Sequence, residues 1–240
     1  MNKFASGLAS LILLCLGVGV GVVHAQSEAQ IRAELQKRIG PNTKIKSVNP
    51  SPISGVYEVL VGTEVFYTDS NSKYLIQGDI IEIASGSNLT EQRKADLNRI
   101  KWSELSPANA FKAVRGNGSR QVAIFSDPNC GYCKRLEKSL QQLDNVTIYT
   151  YLIPILSPDS AQKSKQIWCS TDPQKTYVDW MINNITPTGK SDCATPLDKN
   201  MAFAKTYGIT GTPTLFFTDG SRFPGAVQIT DIEKKFSTLK

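Results

Sequence analysis

The residues best suited to chemistry are two cysteines with two residues between them, in the run Cys130-Gly131-Tyr132-Cys133. The apolar run from Val122 to Phe125 before them reads as a buried strand, and Leu136, Leu140 and Leu143 after them form a helical stripe. The motif therefore stands where a strand gives way to a helix. A helix N-terminus carries unpaired N–H groups and a partial positive charge, which favour thiolate over thiol at the first cysteine. Cys130 is the expected nucleophile, and Cys133 is placed to attack a mixed disulfide on Cys130 and release it. Lys134 and Arg135 add positive charge nearby while Asp127 opposes it. The same motif also occurs as a structural pair or as half of a zinc site. A zinc site needs a second ligand pair, whereas Cys169 and Cys193 lie 24 positions apart and the single histidine, His24, lies in the leader. Neither a metal nor a cofactor is expected.

Two further features bear on that chemistry. Cys169 and Cys193 read as a structural disulfide in a helical region, with two free buried thiols or an intermolecular bond as the alternatives the sequence leaves open. Closing a loop of this length stabilises a fold by about 3 kcal/mol in the chain-entropy account. Thr212-Pro213, after Gly211 and before the strand-like Thr214-Leu215-Phe216-Phe217, can hold a cis peptide in a tight turn. Beside a CxxC helix such a turn would present backbone groups to an extended substrate chain.

The compartment follows from the first 25 residues. Lys3 supplies a positive start, Leu8 to Val23 is apolar, and Val23-His24-Ala25 places small residues at a cleavage position, so residues 1–25 read as a cleavable signal peptide. The competing reading is an uncleaved membrane anchor. Beyond residue 25 the chain holds 26 basic and 21 acidic residues, a formal charge of +5, and four cysteines, an even number that suits disulfide use in an exported chain. The charges are scattered, with no basic run of the kind that follows nucleic acid. A mechanism that needs a histidine base is excluded for the mature chain.

The elements that must position these residues fall into three parts. Residues 26–87 begin with a helix carrying Ile31, Leu35 and Ile39 on one face, and continue as strand-like segments separated by turn residues such as Asp69 to Ser72. A unit of this size is marginal alone, so association with a second copy would help it. Residues 88–107 are polar and charged and read as a linker helix, about 25 Å long if some 17 residues are helical. Residues 108–240 alternate strands and helices. A strand is expected over Val146 to Leu152, two or three helices over Pro158 to Tyr207, strands over Thr214 to Thr218 and Arg222 to Val227, and a last helix capped by Thr230.

Taken together, Phe125-Ser126-Asp127, the Cys-Gly-Tyr-Cys motif and the Thr-Pro turn resemble the thioredoxin superfamily. The Gly-Tyr dipeptide, the second cysteine pair, Thr212 before Pro213 and the segment Val65 to Gly78 are similar to its disulfide isomerase branch, the DsbC family. The resemblance implies a mixed α+β and α/β fold: a small N-terminal dimerisation domain, a linker helix and a thioredoxin-like catalytic domain with a helical insertion. It also implies a periplasmic V-shaped homodimer that takes misfolded exported proteins with non-native disulfides, kept reduced by a DsbD-like membrane reductase. Cys130 and Cys133 would be catalytic, with Gly131, Tyr132, Thr212 and Pro213 facing substrate. Other family roles stand as alternatives: a DsbA-like oxidase, a DsbG-like reductase of oxidised single cysteines, or a holdase chaperone with minor redox activity. Relatives often carry histidine after the second cysteine, where this chain has Lys134.

Overall fold

The computed structural model describes residues 27–239; the signal-peptide reading, with His24, lies outside them. The chain divides into two compact units, one reaching Gln77 and a larger one from Gly78 onward that also takes in Thr63–Val65.

In the smaller unit, α1 (Glu28–Ile39) opens with a capping box in which Ser27 and Gln30 satisfy each other's backbone N–H groups. Ile31 and Leu35, one turn apart, pack with Ile45, Val48 and Val59. These last three come from β1 (Ile45–Pro50) and β2 (Val56–Val61), which pair antiparallel. β3 (Glu64–Asp69) and the short β4 (Leu75–Ile76) complete a four-stranded sheet in the order β1-β2-β3-β4. The turn between β3 and β4 is closed by the Asp69 carboxylate, which accepts from the N–H groups of Asn71, Lys73 and Tyr74.

The larger unit opens with a two-residue ladder, β5 (Ile81–Glu82) and β6 (Ser87–Asn88), followed by α2 (Leu89–Leu97). This helix has nine residues, not the 17 expected of a linker helix. It stops because Asn98 folds back on the Lys94 carbonyl through both its backbone and its side chain. The following residues are recruited by a core instead: Ile100 and Leu105 are buried, and the Ile100 N–H donates to the Gly220 carbonyl. Gly220 has φ +82°, and a Cβ there would fall 2.1 Å from the Ile100 oxygen, so only glycine fits the junction.

A five-stranded sheet in the order β11-β10-β8-β9-β7 forms the centre of this unit. Its strands are β7 (Phe111–Arg115), β8 (Arg120–Ser126), β9 (Val146–Leu152), β10 (Thr214–Phe217) and β11 (Arg222–Pro224). β8 runs parallel to β9 and antiparallel to β10. It is buried on both faces, which is why Val122-Ala123-Ile124-Phe125 is an unbroken apolar run. Val122 and Ile124 face the layer of α3 (Gly131–Leu140) and α7 (Ile229–Thr238). Ala123 and Phe125 face the opposite layer, with Ala204 from α6 (Leu197–Thr206). β7 was not foreseen from the sequence. The final helix is entered from Gln228, so Thr230 lies within its first turn rather than capping it.

Between β9 and α6 the chain inserts α4 (Pro158–Trp168) and α5 (Pro173–Asn183). Each starts with a polar cap followed by proline, Ser157-Pro158 and Asp172-Pro173, the combination that favours a helix start. Their inner residues Ile167, Tyr177 and Met181 meet Phe111, Leu152 and Leu197 around the two cysteines of the motif.

Candidate active site

The site is assembled at the C-terminal end of β8. Its last residue, Ser126, leads into a turn in which the Asp127 carboxylate accepts from the N–H groups of Asn129, at 2.8 Å, and Leu156, at 3.0 Å. Asp127 is fully buried, and these two bonds occupy its oxygens. The Cys130 N–H donates to the Asp127 carbonyl, and Cys130 then serves as the N-cap of α3 in an extended conformation. Its sulfur occupies the place usually taken by a serine or aspartate oxygen and accepts the Cys133 N–H at 3.3 Å.

Both cysteines of the motif are free thiols and both are buried, but their environments drive their acidities apart. The Cys130 thiol is drawn down to about 5. A hydrogen bond from the Cys133 thiol is the main cause, and burial opposes it; the Thr212 side chain and the N–H groups of Cys133 and Tyr132 add to the lowering. Cys133 is pushed far up, first by burial and then by its hydrogen bond to Cys130, while Ser126 and the Asp127 N–H pull it back. The arrangement favours a thiolate at Cys130 and holds the more deeply buried Cys133 in reserve as a thiol.

Thr212 and Pro213, 82 and 83 residues beyond Cys130, lie against the motif. The Thr212–Pro213 peptide bond is cis. The Cys130 thiol donates to the Thr212 carbonyl at 3.2 Å, and the buried Thr212 hydroxyl has no hydrogen-bond partner. Gly131 is exposed and Tyr132 is 60% exposed. Cys169 and Cys193 are joined by a disulfide with a Cα–Cα distance of 5.7 Å, tying the end of α4 to the loop before α6.

Several residues that sequence reasoning did not single out belong to this neighbourhood. Tyr177 and Ser126 place their hydroxyls 2.6 Å apart behind the cysteines. Glu137, on the turn of α3 after Cys133, is buried and held up to about 7 by that burial. Lys134 lies 3.7 Å from the centroid of the Trp180 ring and donates to Asn184 at 2.8 Å, and Trp180 in turn donates to the Pro128 carbonyl at 2.5 Å. Only the helical spacing of Glu137 from Cys133 was visible along the chain; the other contacts come from the inserted helices.

Residues 107–240 match the family model of the thioredoxin-like domain, and residues 22–91 match that of the disulfide bond isomerase protein N-terminal domain. The protein named probable thiol:disulfide interchange protein DsbC in Bordetella avium is 37% identical over 207 residues, which cover 86% of this chain and 74% of that relative. This chain belongs to the DsbC family. The family member from Bordetella pertussis is 40% identical over 181 residues, 75% of this chain; the match spans 64% of that relative's own length. The thiol:disulfide interchange protein DsbC of Escherichia coli is 25% identical over 187 residues, 76% of this chain and 77% of that one. A crystal structure of a disulfide interchange protein from Neisseria gonorrhoeae superposes with a TM-score of 0.53 at 38% identity, covering 55% of this chain and 96% of that one. The two family models match either side of residues 92–106, which lie between the matches.

Proposed function

We propose that this protein is a periplasmic thiol:disulfide isomerase and reductase acting on wrong disulfides in exported proteins. The observation that carries the reading is the geometry of the motif: Cys130 caps α3 with its sulfur accepting the Cys133 N–H at 3.3 Å, the cis Thr212–Pro213 peptide lies against it, and Cys133 is buried behind it. These surroundings favour a thiolate at Cys130 and a thiol at Cys133. The Cys130 thiolate attacks a substrate disulfide, forming a mixed disulfide and expelling the second substrate sulfur as a thiolate. That thiolate then attacks elsewhere in the substrate, or Cys133 attacks Cys130 and releases the substrate reduced. Thr212, Pro213, Gly131 and Tyr132 border the reacting sulfur and suit an extended chain, and the Cys169–Cys193 disulfide holds the inserted helices that cover Cys133.

A thiolate this well stabilised favours the dithiol over the disulfide, so the Cys130–Cys133 disulfide, once formed, oxidises client thiols instead of isomerising their disulfides. An isomerase of this design therefore needs a partner that keeps it reduced, a membrane reductase of the DsbD type. Residues 1–25 serve as the export signal, 26–87 as a dimerisation domain, 88–107 as the connection and 108–240 as the catalytic domain. The homodimer is supported by the short edge strand β4, whose Leu75 and Ile76 are exposed with the adjacent Tyr74.

The deciding experiment traps free thiols by mass spectrometry in protein taken directly from the exporting cell, with and without the reductase. Cys130 and Cys133 reduced in the first case and oxidised in the second is the expected result. A disulfide between them in both cells would make the protein an oxidase. Sedimentation at micromolar concentration tests the dimer.

A further inference from the structure

The proposed chemistry asks Cys133 to become a thiolate where little favours one. It is 2% exposed and packed among Phe111, Leu152, Ile167, Tyr177, Met181 and Leu197. Once Cys130 is held in a mixed disulfide, its negative charge is gone and burial remains the main obstacle to ionising Cys133. The end of β8 lies behind Cys133, where the Ser126 hydroxyl and the Asp127 N–H favour its ionisation, and Tyr177 packs in the same buried cluster as Cys133. Ser126 is itself completely buried, and its oxygen lies 2.6 Å from the hydroxyl of Tyr177, brought in by α5. A serine that gives its proton to the sulfur needs a donor for its own oxygen, and the Tyr177 O–H supplies one. The two hydroxyls form a buried, mutually bonded pair behind Cys133, able to turn one donor toward its sulfur when that sulfur ionises. Tyr177 keeps its proton, because burial first, then the nearby Glu137 and the two cysteines, hold its pKa well above the ordinary value. Hydrogen bonds to an ionised group in a dry site are stronger than neutral ones, and aligned hydroxyls need no reorganisation when the charge appears.

We propose that the buried Ser126–Tyr177 hydroxyl pair is a positioning device for Cys133, setting how fast a mixed disulfide on Cys130 is resolved and so how reduction competes with isomerisation. In that step Cys133, having lost its proton to solvent, attacks the Cys130 sulfur. The Cys130–substrate bond breaks, and the substrate sulfur leaves with the electron pair and takes up a proton. The Cys130–Cys133 disulfide that forms holds the oxidising equivalents of the substrate disulfide. A slower Cys133 gives the released substrate thiolate more time to rearrange before the complex is dissolved. The groups facing this pair are Cys130 and Glu137 on α3 and the Asp127 backbone; the Asp127 carboxylate is taken up by Asn129 and Leu156.

The inference rests on the Cys130 and Cys133 roles proposed above, and one experiment separates the two. The full-length reduced protein is mixed with a symmetrical aromatic disulfide whose released thiolate is coloured. The first release reports attack by Cys130, and the second reports resolution by Cys133. Ser126→Ala is expected to leave the first release unchanged, slow the second about tenfold and move its pH dependence upward, since a charge-assisted hydrogen bond is at stake. Ser126→Thr, which keeps a hydroxyl, is expected to restore the second release, and Tyr177→Phe to slow it severalfold. Equal second releases in wild type, Ser126→Ala and Tyr177→Phe overturn the inference. Should Ser126→Ala not fold, Tyr177→Phe against wild type decides. Absence of the first release in wild type would instead remove the proposed function.

Discussion

The Cys133 backbone N–H points at the Cys130 sulfur from 3.3 Å, and the Cys133 thiol is the largest single influence lowering the pKa of Cys130. The second cysteine therefore acts on the first before it takes part in any exchange. Alkylation of the reduced protein is expected to follow the ionisation of Cys130, with a midpoint near 5. A free cysteine ionises at about 8.5. In Cys133→Ala the midpoint should rise by about one unit or more, the size of one charge-assisted hydrogen bond. A midpoint unchanged by that substitution would assign the effect to the helix terminus and Thr212, without the Cys133 thiol.

Thr212 contributes from the other side of the sulfur. While Cys130 is protonated its S–H donates to the Thr212 carbonyl; when it ionises, the unpartnered Thr212 hydroxyl gains an acceptor. Thr212→Val keeps the branched shape and the carbonyl but removes that donor. The alkylation midpoint is expected to rise by about half a unit to one unit, and Thr212→Ser should return it. Equal midpoints in wild type and Thr212→Val would exclude the hydroxyl as a stabiliser of the thiolate.

Much of this arrangement was readable along the chain because it obeys local rules. A doubly buried central strand must be an apolar run, and β8 is one; Ser-Pro and Asp-Pro mark helix starts, and α4 and α5 begin there. What could not be read depends on contacts distant in sequence. α2 ends early because the larger unit recruits Ile100 and Leu105, a demand set by β10, α6 and Gly220 rather than by helical propensity. β7 is a short edge strand whose burial alternates, but its outward position Val114 is apolar and exposed, which blurs the alternation in the sequence. Tyr177 lies 51 positions from Ser126, and nothing near either residue signals that their hydroxyls meet.

The disulfide between Cys169 and Cys193 lies outside the reacting pair, and its removal should affect stability rather than chemistry. It closes a loop of 24 residues. Replacing both cysteines by alanine is expected to cost about 3 kcal/mol, by constraint of the unfolded chain. Urea unfolding of the double variant measures this, and the alkylation midpoint of Cys130 should stay near its wild-type value. A large shift of that midpoint would mean that the inserted helices set the position of Tyr177 and the cover over Cys133 only when the loop is tied.

Glu137 gives the stability of the protein a pH dependence of its own. Its carboxyl is 5% exposed and accepts from the Gln141 side chain at 3.1 Å; burial raises its pKa to about 7, against the opposing influence of Arg115 and Gln141. Arg115 itself donates to the Leu140 carbonyl. Because the folded value lies above the unfolded one, the native state holds this proton more tightly. The associated stabilisation is complete below about pH 4.5 and is lost as the pH rises through about 7. The loss from this group amounts to roughly 3 kcal/mol. Glu137→Gln keeps an acceptor for Gln141 and cannot ionise. Its stability should match that of wild type near pH 4.5 and exceed it by roughly 2–3 kcal/mol above pH 7, as measured by urea unfolding across that range. If the two curves instead ran parallel, the carboxyl would be ionised in the native state throughout, and Arg115 would be its partner in a buried ion pair.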